Sequence, residues 1–263
     1  MGSATREALA VTRKALAALG TKADLATGEQ LLAAGRVIGD SAQLRAALVD
    51  YSVEAGDKTS IIDAVFASIG APARSLLSTV ATSAWSTEDD LLAGIEEIGF
   101  RIIAASAGTA SIESELFAFG SAVNSDPELE LAVSSKLGSS EAKSALVATL
   151  LSGKASAQTL AIVQHLVQQP RGRRIAELLR DASSIVADEA GLAVATVTTA
   201  APLAPAQLTR LAAALASSYG RELRINHVID PAVVGGLRVQ LGDEVIDGTV
   251  ATRINDLRLQ LAS

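Results

Sequence analysis

Three carboxylates, Asp243, Glu244 and Asp247, fall within a few positions and could hold a divalent cation. A calcium loop needs more oxygen ligands at EF-hand spacing, which this stretch lacks. The two aspartates read instead as turn residues, in Gly242-Asp243 and Asp247-Gly248. Gly235-Gly236 could cradle a phosphate. That role needs a glycine turn opening a helix, usually with a lysine, and here a strand pattern follows and no lysine does. The pair reads as a turn or bulge that needs positive φ. His165 sits on a helical pattern beside Gln164 and Gln168, and His227 on a strand pattern. Neither has an acidic or serine partner at a local spacing that suggests a triad. Arg171, Arg173, Arg174 and Arg180 form the densest basic cluster; an acidic partner or lipid headgroups could meet it, and a solvated helix face is the simpler reading. Trp85, in the polar stretch Ser83 to Asp90, reads as a packing anchor between helices.

These residues supply faces and turns, with no catalytic set, no cofactor and no metal implied. The absence of cysteine excludes disulfides, thiolate zinc and cysteine nucleophiles, and two histidines cannot build a histidine cage. A net charge of −7 with 3% aromatics argues against nucleic-acid binding. At 49% apolar and 19% charged, the 263 residues form a folded chain. No signal peptide is visible around Met1 to Leu9, and no run of about 18 apolar residues could cross a bilayer.

Two textures position these residues. Up to about Ala190, apolar residues recur at helical spacing: Leu91, Ile95, Ile98 and Ile102; Leu160, Val163 and Val167; Ile175, Leu178, Leu179 and Ala182. Breaks are expected at Gly39-Asp40-Ser41, Gly56-Asp57, Gly70-Ala71-Pro72, Ser125-Asp126-Pro127, Gly138-Ser139-Ser140 and Pro170-Arg171-Gly172, which divides the region into about ten helices. After Gly191 the period changes. Leu192 to Ala200 reads as a strand, Pro205 to Tyr219 as a helix stopped by Gly220, and Glu222 to Val228 as a strand. Leu237 to Leu241 and Glu244 to Ile246 form a hairpin across Gly242-Asp243, and Thr249 to Leu261 is a helix with Val250, Ile254, Leu257 and Leu261 on one stripe. The fold class is mainly α with a small α+β domain: a mixed sheet with two helices.

Displacing the helical region by about 85 residues aligns it with itself. Leu31 meets Leu116, Gly35 meets Gly120, Leu44 meets Leu129, Ala47 meets Ala132 and Lys58 meets Lys143. The expected domains are therefore a first helical bundle at residues 1–88, a related second bundle at 89–190, and an α+β domain at 191–263.

The segment Val228 to Thr249, VIDPAVVGGLRVQLGDEVIDGT, carries Asp230, Pro231, Gly235, Gly236, Gly242, Asp243, Asp247 and Gly248. It resembles the hallmark of the delta subunits of bacterial F-type ATP synthases, whose mitochondrial relative is the oligomycin sensitivity-conferring protein. Val197-Thr198-Thr199-Ala200-Ala201-Pro202-Leu203 and Tyr219-Gly220-Arg221-Glu222 resemble two further family motifs. Thr249 stands where the family usually has serine and keeps the hydroxyl. The excess length is N-terminal and matches the repeat offset, as in long actinobacterial delta subunits.

The resemblance implies a non-catalytic stator subunit at the cytoplasmic face of the bacterial membrane, attached only through its complex. It would grip N-terminal helices of the α subunits with its helical domain and peripheral-stalk subunit b with its second domain. The family receives the α-subunit helix between the first and fifth helices of its bundle. Here these are taken as the helix with Ile95, Ile98 and Ile102 and the one with Ile175, Leu178 and Leu179. The Asp230–Gly248 motif is expected to be structural. The rival expectation is a catalytic protein with a site between its helical and α+β domains.

Overall fold

In a computed structural model the described residues are 2–20, 23–135, 138–242 and 244–249. The chain divides into two compact units, Met1–Val186 and Ala187–Ser263. The helical region runs as α1 (Ser3–Leu19), α2 (Leu25–Asp40), α3 (Ala42–Val49), α4 (Ala55–Val65), α5 (Ala71–Thr82), α6 (Glu88–Ala105), α7 (Ile112–Ser125), α8 (Pro127–Ser134), α9 (Ser140–Leu151), α10 (Ala157–Gln168) and α11 (Ile175–Glu189). Side chains of Asp24, Ser41, Thr87, Asp126, Ser139 and Ser156 accept hydrogen bonds from free N–H groups at the starts of their helices. Pro72 and Pro127 stand in first turns, where no N–H partner is lost. One expected break is displaced. Gly56 and Asp57 lie inside the first turn of α4, where an acidic side chain suits the helix dipole, and the break falls between Val49 and Ala55.

Helix positions repeat. The offset is 85 residues from α3 (42–49) to α8 (127–134) and 86 from α5 (71–82) to α10 (157–168). Likewise α1, α2 and α4 correspond to α6, α7 and α9, and α6 corresponds to α11. Lys58 and Lys143 are both buried, and the Lys58 ammonium donates to Leu48 O at 2.7 Å, closing the end of α3. Gln30 Oε1 accepts from Gly70 N at 2.8 Å at the start of α5, and Glu115 Oε2 accepts from Ser156 N at 2.9 Å at the start of α10.

Two apolar clusters fill this region, and α6 contributes to both. Leu91, Leu92, Ile95, Ile98 and Ile102 join the cluster built on α1 to α5, while Phe100 and Ile103 join the one built on α7 to α11. So α6 is the last helix of one copy and the first helix of the next. Close approach makes this possible: a Cβ at Gly99 would sit 2.5 Å from Leu32 Cδ2, and one at Gly94 would sit 2.1 Å from Trp85 Cη2. Trp85 is fully buried and donates to Val80 O at 2.7 Å, as a packing anchor does.

The second unit carries β1 (Leu192–Thr199), α12 (Pro205–Tyr219), β2 (Glu222–Ile229), β3 (Leu237–Leu241) and β4 (Glu244–Asp247), in sheet order β2-β1-β3-β4. β1 and β2 are parallel and joined through α12, while β3 and β4 run antiparallel. Gly220 ends α12 in the left-handed region. Ala195, Val197, Leu215 and Val239 form the core between sheet and helix. The fold is mainly α with a small α+β part. The segment expected as a final helix, with Val250, Ile254, Leu257 and Leu261, lies outside the described residues, as does Asp243.

Candidate functional site

The six residues expected at the α-subunit groove are all core residues. Ile95, Ile98 and Ile102 face the first cluster, and Ile175, Leu178 and Leu179 the second. Each is at most 5% exposed. The helical count also corrects the correspondence: from α6 onward, α11 is the sixth helix and α10 the fifth. Leu178 lines a surface cleft of about 370 Å³ with Thr5 and Leu9 of α1, Ala93 and Glu97 of α6, and Ser184 of α11. At its side Arg13 of α1 donates to Glu97 at 2.7 Å.

The α6–α10 seam is already covered, because α2 touches both helices. Leu32 of α2 belongs to the second cluster with Phe100, Ile103 and Ala161. Arg36 of α2 reaches His165 of α10, its guanidinium 3.1 Å from Nδ1, while Nε2 lies 3.1 Å from Glu96 Oε1 on α6. Arginine only donates, so Nδ1 accepts and the ring proton sits on Nε2, donated to Glu96. The other Glu96 oxygen takes Arg171 and, at 3.1 Å, Arg173. Burial holds His165 below the ordinary histidine value; Glu96 opposes this, and Arg36 and Arg171 add to it. Burial also pushes Glu96 upward, but the His165 hydrogen bond and the Arg171 and Arg173 charges together hold it below the usual carboxylate range. Beside this network a cleft of about 410 Å³ opens between α2 and α10, lined by Glu29, Arg36, Ser144, Gln164 and His165.

This constellation escaped the sequence reading, because Arg36 and Glu96 lie far from His165 along the chain. The basic cluster is also reassigned. Arg171 and Arg173 are half-buried on Glu96, and only Arg174 and Arg180 form a solvated face. Arg171 takes a positive φ of 47°, uncommon for a side chain larger than glycine, which turns it inward to that carboxylate. Hydrogen bonds and ion pairs within the set join α2, α6 and α10, and Arg171 Nε is buried without a partner.

In the second unit the conspicuous motif organises the sheet corner. Asp230 N donates to Thr199 O at 2.8 Å, and Asp230 Oδ1 accepts from Ala232 N at 2.9 Å, turning the chain at Pro231. Gly235 and Gly236 have φ of 67° and 77°. A Cβ on Gly236 would meet Gly248 O at 2.4 Å, so the glycines let two backbones cross. Gly248 N donates to Leu237 O at 3.0 Å, and Asp247 Oδ1 accepts from Thr249 N at 2.9 Å. Gly242 turns β3 into β4 at φ 58°. His227 Nε2 meets Thr199 Oγ1 at 2.7 Å, a link between neighbouring strands. Ile229, Val234, Val245 and Ile246 are exposed around this corner. Among the described residues no group of three or more His, Cys, Asp or Glu could hold a metal, and no helix is long and apolar enough to cross a membrane.

A family model described as ATP synthase delta (OSCP) subunit matches residues 100–261. The ATP synthase subunit delta of Leifsonia xyli subsp. xyli is 55% identical over 263 residues, covering 100% of both chains. That of Streptomyces avermitilis is 39% identical over 268 residues, covering 99% of this chain and 98% of the relative. These relatives share the long form, including the first helical copy that the family model does not reach. Among solved structures, a chain of the Toxoplasma gondii mitochondrial ATP synthase hexamer is 20% identical, covers 62% of this chain and 97% of its own, and overlays with a TM-score of 0.39.

Proposed function

The chain belongs to the ATP synthase delta (OSCP) subunit family and is a non-catalytic stator component of the F-type ATP synthase; on that premise we propose that it ties the α/β catalytic head to peripheral-stalk subunit b, so that the head does not turn with the rotor. The complex is membrane-associated, and this subunit attaches at the cytoplasmic face through its partners. Residues 1–88 and 89–190 act as two related helical bundles that share α6, and the α+β unit receives subunit b.

The N-terminal helix of a head α subunit lies along α1 and α5, the first and fifth helices of the first copy. The observation that carries this is the cover on the matching seam of the second copy, where α2 already bridges α6 and α10. Ile95, Ile98 and Ile102 support the first copy from its core, whereas Ile175, Leu178 and Leu179 belong to the core of the second copy. Val11, 53% exposed on α1, is the natural anchor. Val11→Asp should weaken an α-subunit N-terminal peptide at least about tenfold, the effect of losing one apolar anchor. Ser144→Asp, in the α2–α10 cleft, should leave it unchanged. The opposite pattern would move the site to the second seam.

For subunit b, exposed Ile229 and Val234 flank the Asp230–Gly248 corner and offer an apolar stalk helix its contact. Gly242→Val should destabilise the second unit by about 1–3 kcal/mol through its positive φ. Binding of b should fall with it, while the α peptide stays bound. Equal loss of both partners would contradict this division of labour.

A further inference from the structure

We infer that His165 is an acid-sensitive latch that fastens α2 across the α6–α10 seam. The ring is 2% exposed and is touched by charged groups from two other helices, Arg36 of α2 and Glu96 of α6. Arg171 and Arg173 stand on the far side of Glu96. Asp40 acts on Arg36 from the end of α2, and Glu29 lines the adjoining cleft. The facing residues Ser144 of α9 and Gln164 and Gln168 of α10 are neutral. Phe100 closes the ring's remaining side, edge to face at 5.8 Å.

The latch follows from donor and acceptor counting. With Nδ1 unprotonated, Arg36 has an acceptor and α2 is tied to α10. A proton on Nδ1 sets N–H against N–H and imidazolium against guanidinium at 3.1 Å. The ring then stays neutral or Arg36 leaves. If Arg36 leaves, α2 keeps its close packing on α6 at Gly28 and Gly99 and its Leu32 in the second cluster, and loses its polar tie to α10. An open latch therefore binds a proton more readily than a closed one. Below the ordinary histidine value of about 6.5 and above the depressed closed-state value, opening grows about tenfold for each pH unit lost.

The test uses the full chain with ¹⁵N-labelled histidine, which has two rings to assign. At pH 7.5 the His165 ring should be neutral with its proton on Nε2. Hydrogen exchange of α2 and α10 amides, corrected for intrinsic rates, should accelerate about tenfold per unit as pH falls below about 6.5. His165→Gln accepts from Arg36 and donates to Glu96 without titrating, and should abolish that acceleration. An imidazolium or an Nδ1–H tautomer at pH 7.5, or equal acceleration in the native chain and H165Q, would overturn the latch. Should H165Q fail to fold, Arg36→Met removes the facing donor and should raise the His165 titration toward the ordinary value. An unmoved titration would overturn it as well.

Discussion

The two helical copies share their helix order and differ most on one seam. Gly35 and Gly120, Lys58 and Lys143, and Gln30 and Glu115 hold corresponding places; both lysines are buried, and Gln30 and Glu115 each accept from a backbone N–H at the start of the fifth helix. Along the seam between first and fifth helices the match ends. By helix position Glu96 of α6 corresponds to Val11 of α1, and His165 of α10 to Thr79 of α5. The second copy carries a buried charged network under α2; the first carries small neutral residues and an exposed valine. Interior contacts constrain every copy of a bundle, whereas an outer seam is free to diverge once one copy has become an internal joint.

The largest expected effect comes from separating the copies. Removing residues before Ser86 would bare Leu91, Ile95, Ile98 and Ile102, each worth about 1.5–3 kcal/mol when buried. That total rivals a whole domain's stability of about 5–15 kcal/mol. The shortened chain should aggregate or lose its cooperative melt. A sharp melt near that of the full chain would break the idea that α6 serves both copies.

The next effect compares corresponding glycines. A Cβ at Gly35 would sit 2.9 Å from Ile95 Cγ2, whereas one at Gly120 would sit 3.4 Å from Leu179 Cδ1. Gly35→Ala should cost about 1–3 kcal/mol through overpacking. Gly120→Ala should be neutral, or stabilising by up to about 1 kcal/mol through helix propensity. Chemical denaturation of both variants decides it, and equal costs would mean the two second helices pack alike.

The smallest effect compares the helix caps. Glu115 accepts from Ser156 N and Oγ and from Thr159 Oγ1, whereas Gln30 takes Gly70 N. Glu115→Ala should cost about 1–2 kcal/mol and Gln30→Ala about 0.5–1 kcal/mol. Burial pushes Glu115 up, but the Ser156 and Thr159 hydrogen bonds prevail and hold it below the ordinary value of 4.5. Its contribution is thus complete above pH 4.5 and lost as pH falls through the lower folded value. The gap between the two variants should close in acid, and a gap that widens there would contradict the charged cap.

Sequence alone located most helix ends because the stop signals are local. Ser41, Asp126 and Ser139 cap within three residues of themselves. Gly56-Asp57 misled because the same pair suits a turn and a first helical turn. The role of α6 was partly legible: Leu91, Leu92, Ile95, Ile98, Phe100, Ile102 and Ile103 are too many for one stripe, the pattern of a helix buried on two sides. Periodicity names apolar faces without saying what covers them, so the six expected groove residues turned out to be core. The His165 network had no local signature, since its members meet only after α2, α6 and α10 have packed.

The shared helix also bears on how the chain leaves the ribosome. The first copy cannot close its core until α6, 18 residues long, has followed α5 out of the exit tunnel. At about 5–20 residues per second, that holds five amphipathic helices open for roughly one to four further seconds. A chaperone that binds exposed aliphatic side chains would meet its target in that interval, and a translational pause placed within α6 would prolong it.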